Sequence, residues 1–232
     1  MEIFVYSFIG LSTLGYFFPS AIFHSMKEKN QDKIIQKKSF PQDEDKLREI
    51  KLSLSTITIW SSINVISFDL IERGYGNLFF DITEETFLYN IFSFFMCFLI
   101  HDTYFYWIHR FMHHKSIYKY THKGHHLSVT PTAWAALAFY PGEAVLQYIQ
   151  FSLIPFTIRV NVGVFIFYLI LDIIINTAGH CGYEQVSEKI SNNKYLKYLN
   201  TVKHHDDHHS KFNVNYGAFF NFWDRICGTY YQ

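Results

Sequence analysis

The chain has 232 residues, of which 49% are hydrophobic and 20% aromatic, and its formal net charge is zero. That length suits one domain with a sizeable core, and without a basic excess there is no electrostatic case for nucleic-acid binding. The three cysteines, Cys97, Cys181 and Cys227, include no C-x-x-C pair, so neither a disulfide framework nor a cysteine zinc site is indicated.

Residues 3–23 are uncharged and apolar, about the length that crosses ~30 Å of hydrocarbon. A cleaved signal peptide fits less well, because Glu2 stands where a positive start is expected and no small-x-small cleavage site follows. Residues 25–51 are polar with mixed charge and read as a solvated connector or surface helix. Residues 52–71 form a second candidate span, carrying Asp69. Residues 86–100 are uncharged, and the aromatic pattern continues through Trp107. Two further apolar stretches, 144–158 and 160–178, are split by Arg159. The first contains Pro155 and is short for a crossing, as a re-entrant or tilted piece would be. The second carries Asp172, which is costly in lipid unless it faces protein or water.

Segment 24–51 holds eight basic residues against one, Arg73, in loop 72–85, so the positive-inside rule places 24–51 in the cytoplasm. Counting crossings from there puts 109–132 and 179–232 on the same side. The expected fold is all-α: a multi-span transmembrane helical bundle with a cytoplasmic helical cap, as a single domain over 1–232. The expected location is integral to a membrane with the active site facing the cytoplasm (endoplasmic reticulum in a eukaryote, inner membrane in a bacterium).

Of the 13 histidines, eight fall into three clusters. These are His109 and His113; His122, His125 and His126; and His205, His208 and His209. Residues i, i+3 and i+4 share a helical face, so each cluster presents two or three imidazoles in one direction. Eight neutral nitrogens exceed what one four-coordinate ion can use and suit two ions. His180, after the last apolar stretch, could supply a ninth. His101, Asp102, His204, Asp206 and Asp224 are candidates to support or orient the imidazoles. His24 and His114 read as interfacial or surface residues. The absence of H-E-x-x-H, E-x-x-H and G-x-G-x-x-G motifs removes support for a zinc protease, a carboxylate-bridged di-iron bundle or a built-in nicotinamide domain.

The run from His101 through His113, then Tyr118 to His126, resembles the sterol desaturase / fatty acid hydroxylase superfamily. His204–His209, Asn215-Tyr-Gly217, Trp223-Asp-Arg225 and Gly228-Thr-Tyr230 extend the likeness, whose motifs lie in 85–232. Thr130-Pro-Thr-Ala-Trp-Ala-Ala and Ala138-Phe-Tyr-Pro141 are most similar to the sterol C-5 desaturase branch, although that branch often shows His where Tyr140 stands and another near Leu137. The resemblance implies a non-haem di-iron oxidoreductase that uses dioxygen to desaturate or hydroxylate a lipid, sterol-like in class. It implies two iron ions held by the three boxes plus His180. It also implies reducing equivalents from a separate protein, such as a b-type cytochrome or a ferredoxin with its reductase. The competing activities are hydroxylation of a sphingoid base, a 4-methyl sterol or an ether lipid. A membrane metal-binding or transport protein is the competing class.

Overall fold

The computed structural model describes residues 2–36, 41–191 and 193–232. Five long helices carry the architecture: α1 (Glu2–Lys29), α2 (Asp43–Glu72), α3 (Phe87–Met112), α5 (Pro141–Thr157) and α6 (Val162–Gly179). Between and after them lie short helices: α4 (Lys123–His126), α7 (Glu188–Ser191), α8 (Val202–Lys211) and α9 (Phe222–Ile226). Among the described residues, α2, α3 and α6 are long and apolar enough to cross a membrane. Among the described residues, the strands are a parallel pair of two residues each, β1 (Leu78–Phe79) and β2 (Val160–Asn161).

Local chemistry sets the helix starts. Gln42 and Asp45 form a capping box on α2. The Thr86 hydroxyl accepts from Tyr89 N at 3.1 Å to start α3, and Asn161 Oδ1 accepts from Gly163 N at 2.8 Å to start α6. Each satisfies a donor that the first helical turn leaves open. Pro141 opens α5 at a position where its missing N–H costs nothing.

The connections define two ends. At one end, β1 pairs with β2, Asn77 N donates to Pro155 O at 2.7 Å, and the Tyr89 hydroxyl donates to Arg159 O at 2.8 Å. Arg159, the charge that splits the last apolar stretches, is paired there with Glu84 and Glu85. This end therefore collects the C-termini of α2 and α5 and the N-termini of α3 and α6. The C-termini of α3 and α6 and the start of α5 all lie at the other end, and every histidine box is attached to one of them.

The described residues of the polar segment 25–51 are mostly exposed or half-buried, as a solvated connector or surface helix would be, with Gln36 and Glu49 the buried exceptions among them. Residues 43–51 are the first turns of α2, and Glu49 is buried there, bonded to the Thr132 hydroxyl. The reason is the 132–139 segment, which is buried throughout and needs polar partners for its irregular backbone. Tyr16 donates to Trp134 O at 2.8 Å, Ser20 to Ala133 O at 3.2 Å and Ser53 to Trp134 O at 3.2 Å. Ala133, Ala135, Ala136 and Ala138 are small enough for α1, α2 and α6 to close around the segment. Trp134, Leu137 and Phe139 join Tyr16, Ile57, Trp60 and Tyr148 in one apolar cluster. The segment that follows His122, His125 and His126 is thus tied to the bundle.

Candidate metal centre

Nine imidazoles meet at one end of the bundle and form a histidine-rich cluster that could hold metal. They sort into two groups: His109, His113, His122, His126 and His208; and His125, His180, His205 and His209. Within each group the ligating atoms lie within 4.8 Å of one another. Of the nine, only His205 is partly exposed.

The boxes do not map one to a group. Each i, i+4 pair stays together: His109 with His113, His122 with His126, and His205 with His209. The i+3 member of each three-histidine box crosses over, so His125 joins the second group and His208 the first. Helical geometry explains the split: four residues turn about 40° past a full circle, whereas three fall about 60° short. A single direction per box, the simplest expectation from spacing, is therefore replaced by two adjoining groups that share box two and box three. His122 precedes α4 as its N-cap, so box two occupies a single short turn.

The Nε2 atoms face inward. Nε2–Nε2 distances are 2.8 Å for His109–His122, 3.0 Å for His126–His208 and 3.2 Å for His126–His113. In the second group they are 2.8 Å for His180–His205, 3.1 Å for His205–His209 and 3.3 Å for His125–His180. The outer nitrogens are held elsewhere. Nδ1 of His109 donates to Tyr216 O at 2.8 Å, that of His208 to Val214 O at 2.7 Å and that of His180 to Asn176 O at 2.7 Å. A neutral imidazole with its proton on Nδ1 carries a lone pair on Nε2. His109, His180 and His208 therefore each point a lone pair at another imidazole nitrogen, an arrangement that a shared cation satisfies. Two metal–nitrogen bonds of about 2.1 Å at a right angle hold their nitrogens about 3 Å apart, the spacing found here. The donor set thus fits metal.

Burial first, and neighbouring imidazoles second, keep these groups neutral. They hold His122, His125, His205 and His209 well below the ordinary histidine range. Burial lowers His126 to about 2, and His180 and His208 to about 4. Neutral imidazole is the ligating form. Aromatic rings wall the first group: Phe212 stands 4.4 Å from His113 and 5.1 Å from His126, centroid to centroid. Phe212 adopts φ 75° where α8 ends, an uncommon backbone state for a bulky residue, and this turn brings Val214 O back to His208.

The orienting residues differ from those expected. Asp102 accepts backbone N–H groups of Phe219 (2.8 Å) and Phe220 (3.1 Å) rather than an imidazole. Asp224 takes Tyr216 N, Gly217 N and the Thr229 hydroxyl, so it acts on His109 only through the Tyr216 carbonyl. Asp206 accepts from Gln36. His204 caps α8 with Thr201 and meets Tyr230. His101 lies deeper in the bundle, with Nδ1 at 2.5 Å from the Tyr168 hydroxyl and 3.5 Å from Asp172. For Asp102, Asp224 and His204 the physical reason is shared: the bends that carry box three to box one expose backbone N–H groups and a helix start, and these side chains satisfy those first. Asp206 and His101 are instead held by the side chains of Gln36 and of Tyr168. Among the nine clustered imidazoles, His122 has a carboxylate against it: Glu143 Oε1 is 2.6 Å from His122 Nδ1. Its signal in the sequence is weak: an acid in the first turn of an apolar helix, where a helix-end role is the ordinary explanation.

Residues 94–229 match the model of the family described as fatty acid hydroxylase. Lathosterol oxidase of Homo sapiens is 35% identical over 186 residues, covering 79% of this chain and 60% of that protein. Lathosterol oxidase of Rattus norvegicus is 33% identical over 186 residues, with the same coverage. A Delta(7)-sterol 5(6)-desaturase of Gibberella zeae is 35% identical over 188 residues, covering 78% of this chain and 50% of that protein. The chain thus spans between half and three fifths of the length of these relatives. No solved structure matches it. The chain belongs to the fatty acid hydroxylase family, and its relatives there are of the sterol C-5 desaturase branch.

Proposed function

We propose that this chain is a membrane-bound oxidoreductase that desaturates a sterol-like lipid, with the double bond formed at C-5 as the names of its relatives indicate. The nine histidines are its metal ligands, five for one iron ion and four for the other. The irons would supply activation of dioxygen for removal of hydrogen from a lipid carbon, using electrons from a separate protein such as a b-type cytochrome. What carries the reading is the convergence of nine Nε2 atoms into two adjoining groups, together with the family membership.

The chain's own residues do the rest. The Tyr216, Val214 and Asn176 carbonyls and the Glu143 carboxylate fix ring orientation, which tunes ligand basicity and geometry. Phe212, Tyr118 and Tyr216 keep water from the first group. A cavity of about 540 Å³ lies between α1, α2, α5 and α6, lined by Trp60, Leu137, Tyr148, Phe151 and Leu169 among others, within the ordinary range for small-ligand sites of ~300–1,000 Å³. Phe139 bridges it to the histidines: its ring is 6.2 Å from Trp60 and 5.4 Å from His125. A lipid in this cavity would approach the second group. The basic count of segment 24–51, at the histidine end, supports a cytoplasmic site.

Lipid profiling by mass spectrometry of cells carrying the parent chain or the His208→Ala variant tests this. A C-5 alkene product only with the parent is expected. An alcohol in its place would assign hydroxylation, and no lipid difference between the two would overturn the reading.

A further inference from the structure

Residues 216–223 run down the side of α3 rather than across the top of the bundle. Tyr216 O lies at the level of His109. Three residues later the Phe219 and Phe220 amides donate to Asp102, and the Phe219 ring is 4.9 Å from Phe98. Trp223 Nε1 donates to Thr103 Oγ1 at 3.3 Å. At about 1.5 Å per residue, Asp102 lies about 10 Å and Phe98 about 16 Å below His109 along α3. A span of about 20 residues counted from Phe87 ends near Tyr106, so a bilayer crossed by α3 would reach the level of this stretch.

Irregular backbone survives at that depth only when its polar groups are satisfied by protein. Asp102 takes two amides. Asn200 Nδ2 donates to Gly217 O and Ala218 O. Asn221 Nδ2 donates to Lys197 O and Leu199 O, which brings 196–200 to the same level. The exposed side chains of this unit include large apolar ones: Leu196 and Leu199 are each 42% exposed and Ile226 is 68% exposed. Leu99 and Trp107 on α3 are exposed as well, and Trp107 packs against Trp223 of this unit. Its rim is cationic and aromatic. Lys194 lies over Tyr195, Lys197 over Tyr198, and Arg225 over Tyr198 and Tyr230.

We infer that 193–200 together with 217–228 forms a leaflet anchor: it inserts Leu196, Leu199 and Ile226 into the acyl region at the histidine end, while Lys194, Lys197 and Arg225 take anionic lipid headgroups. Long basic side chains over apolar surface reach the headgroup layer in this way, and an anionic surface attracts each of them. Asp102 then serves the anchor's backbone, which explains why this acid sits inside a spanning helix. The inference concerns the bilayer and stands apart from the lipid-oxidising reading.

The test is nitroxide labelling of the full chain in vesicles of phosphatidylcholine with phosphatidylserine. Labels go at Leu199→Cys and, separately, Ile226→Cys, in a Cys227→Ser background, with Asn213→Cys as the water-facing control. Power-saturation measurements should show broadening by oxygen and loss of broadening by a nickel chelate at 199 and 226, and the reverse at 213. Removing phosphatidylserine should make the label at 199 shallower, and Lys194→Gln with Lys197→Gln should abolish that difference. Nickel access at 199 and 226 equal to that at 213 would overturn the anchor. So would label–label broadening that vanishes on dilution with unlabelled chain, because a second copy would then cover the surface. Depth unchanged by phosphatidylserine would overturn the headgroup assignment.

Discussion

Glu143 Oε1 lies 2.6 Å from His122 Nδ1, and the opposite nitrogen of that ring faces His109 Nε2 at 2.8 Å. One carboxylate at the start of α5 thus sets the direction of an imidazole in box two. Glu143→Ala should lower metal affinity by about 10–100-fold, the usual cost of removing a group that orients a ligand. Glu143→Gln keeps an acceptor oxygen and should lose much less. Metal content after dialysis against graded chelator measures both. Equal retention in parent and Ala variant would remove Glu143 from the site.

Gly124 lies between the box-two histidines, and a Cβ there would collide with the Tyr140 ring. Gly124→Ala should displace the turn carrying His122, His125 and His126 and reduce turnover by roughly tenfold or more, since a shift of about 1 Å can cost 10²-fold. Adding Tyr140→Ala should restore much of it. Steady-state lipid oxidation by the two variants is the check, and no rescue would place the effect elsewhere.

Leu169 lines the apolar cavity and does not touch the histidine groups. Leu169→Trp should fill space meant for lipid, so turnover falls about tenfold or more while metal content stays at the parent level, because overpacking affects the pocket and not the ligands. Parallel metal analysis and product assays separate the two effects. Unchanged turnover would assign the lipid another route.

Burial holds His180 and His208 at about 4 in the folded metal-free chain, against an ordinary value near 6.5 when unfolded. Between those values the unfolded chain binds more protons, so stability rises with pH. The contribution is fully present above about 6.5 and is lost as pH falls toward 4. Thermal unfolding of the metal-free protein from pH 7.5 to 4.5 should show a falling midpoint below about 6.5, and His208→Asn should flatten the slope. A midpoint independent of pH over that window would contradict neutral buried imidazoles.

Much of the site was legible because histidine spacing carries its own geometry. The i, i+4 pairs predict shared direction, and they do share a group. His180 was marked by its place after an apolar helix and by the family resemblance, and the structure seats it with His125, His205 and His209. The crossing of His125 and His208 between groups was not legible, because it depends on how two helices face each other across the centre. Glu143 is 21 residues from His122, and nothing local marks a partner at that distance. Asp102, Asp206 and Asp224 looked like orienting acids from proximity alone, but nearer polar groups claimed them. The spans were legible from apolar runs, whereas the burial of Glu49 in a charged stretch followed from an irregular segment more than eighty residues away.

In the proposed function one chain holds two irons, one in each imidazole group, and oxidises lipid with them. The most direct measurement is iron per chain in the purified parent, in His109→Ala and in His205→Ala, taken together with dioxygen-dependent lipid oxidation. One iron for each group is expected in the parent, with clear loss in each variant and no turnover in either. An iron content near zero in an active parent, or full turnover by either variant, would contradict it.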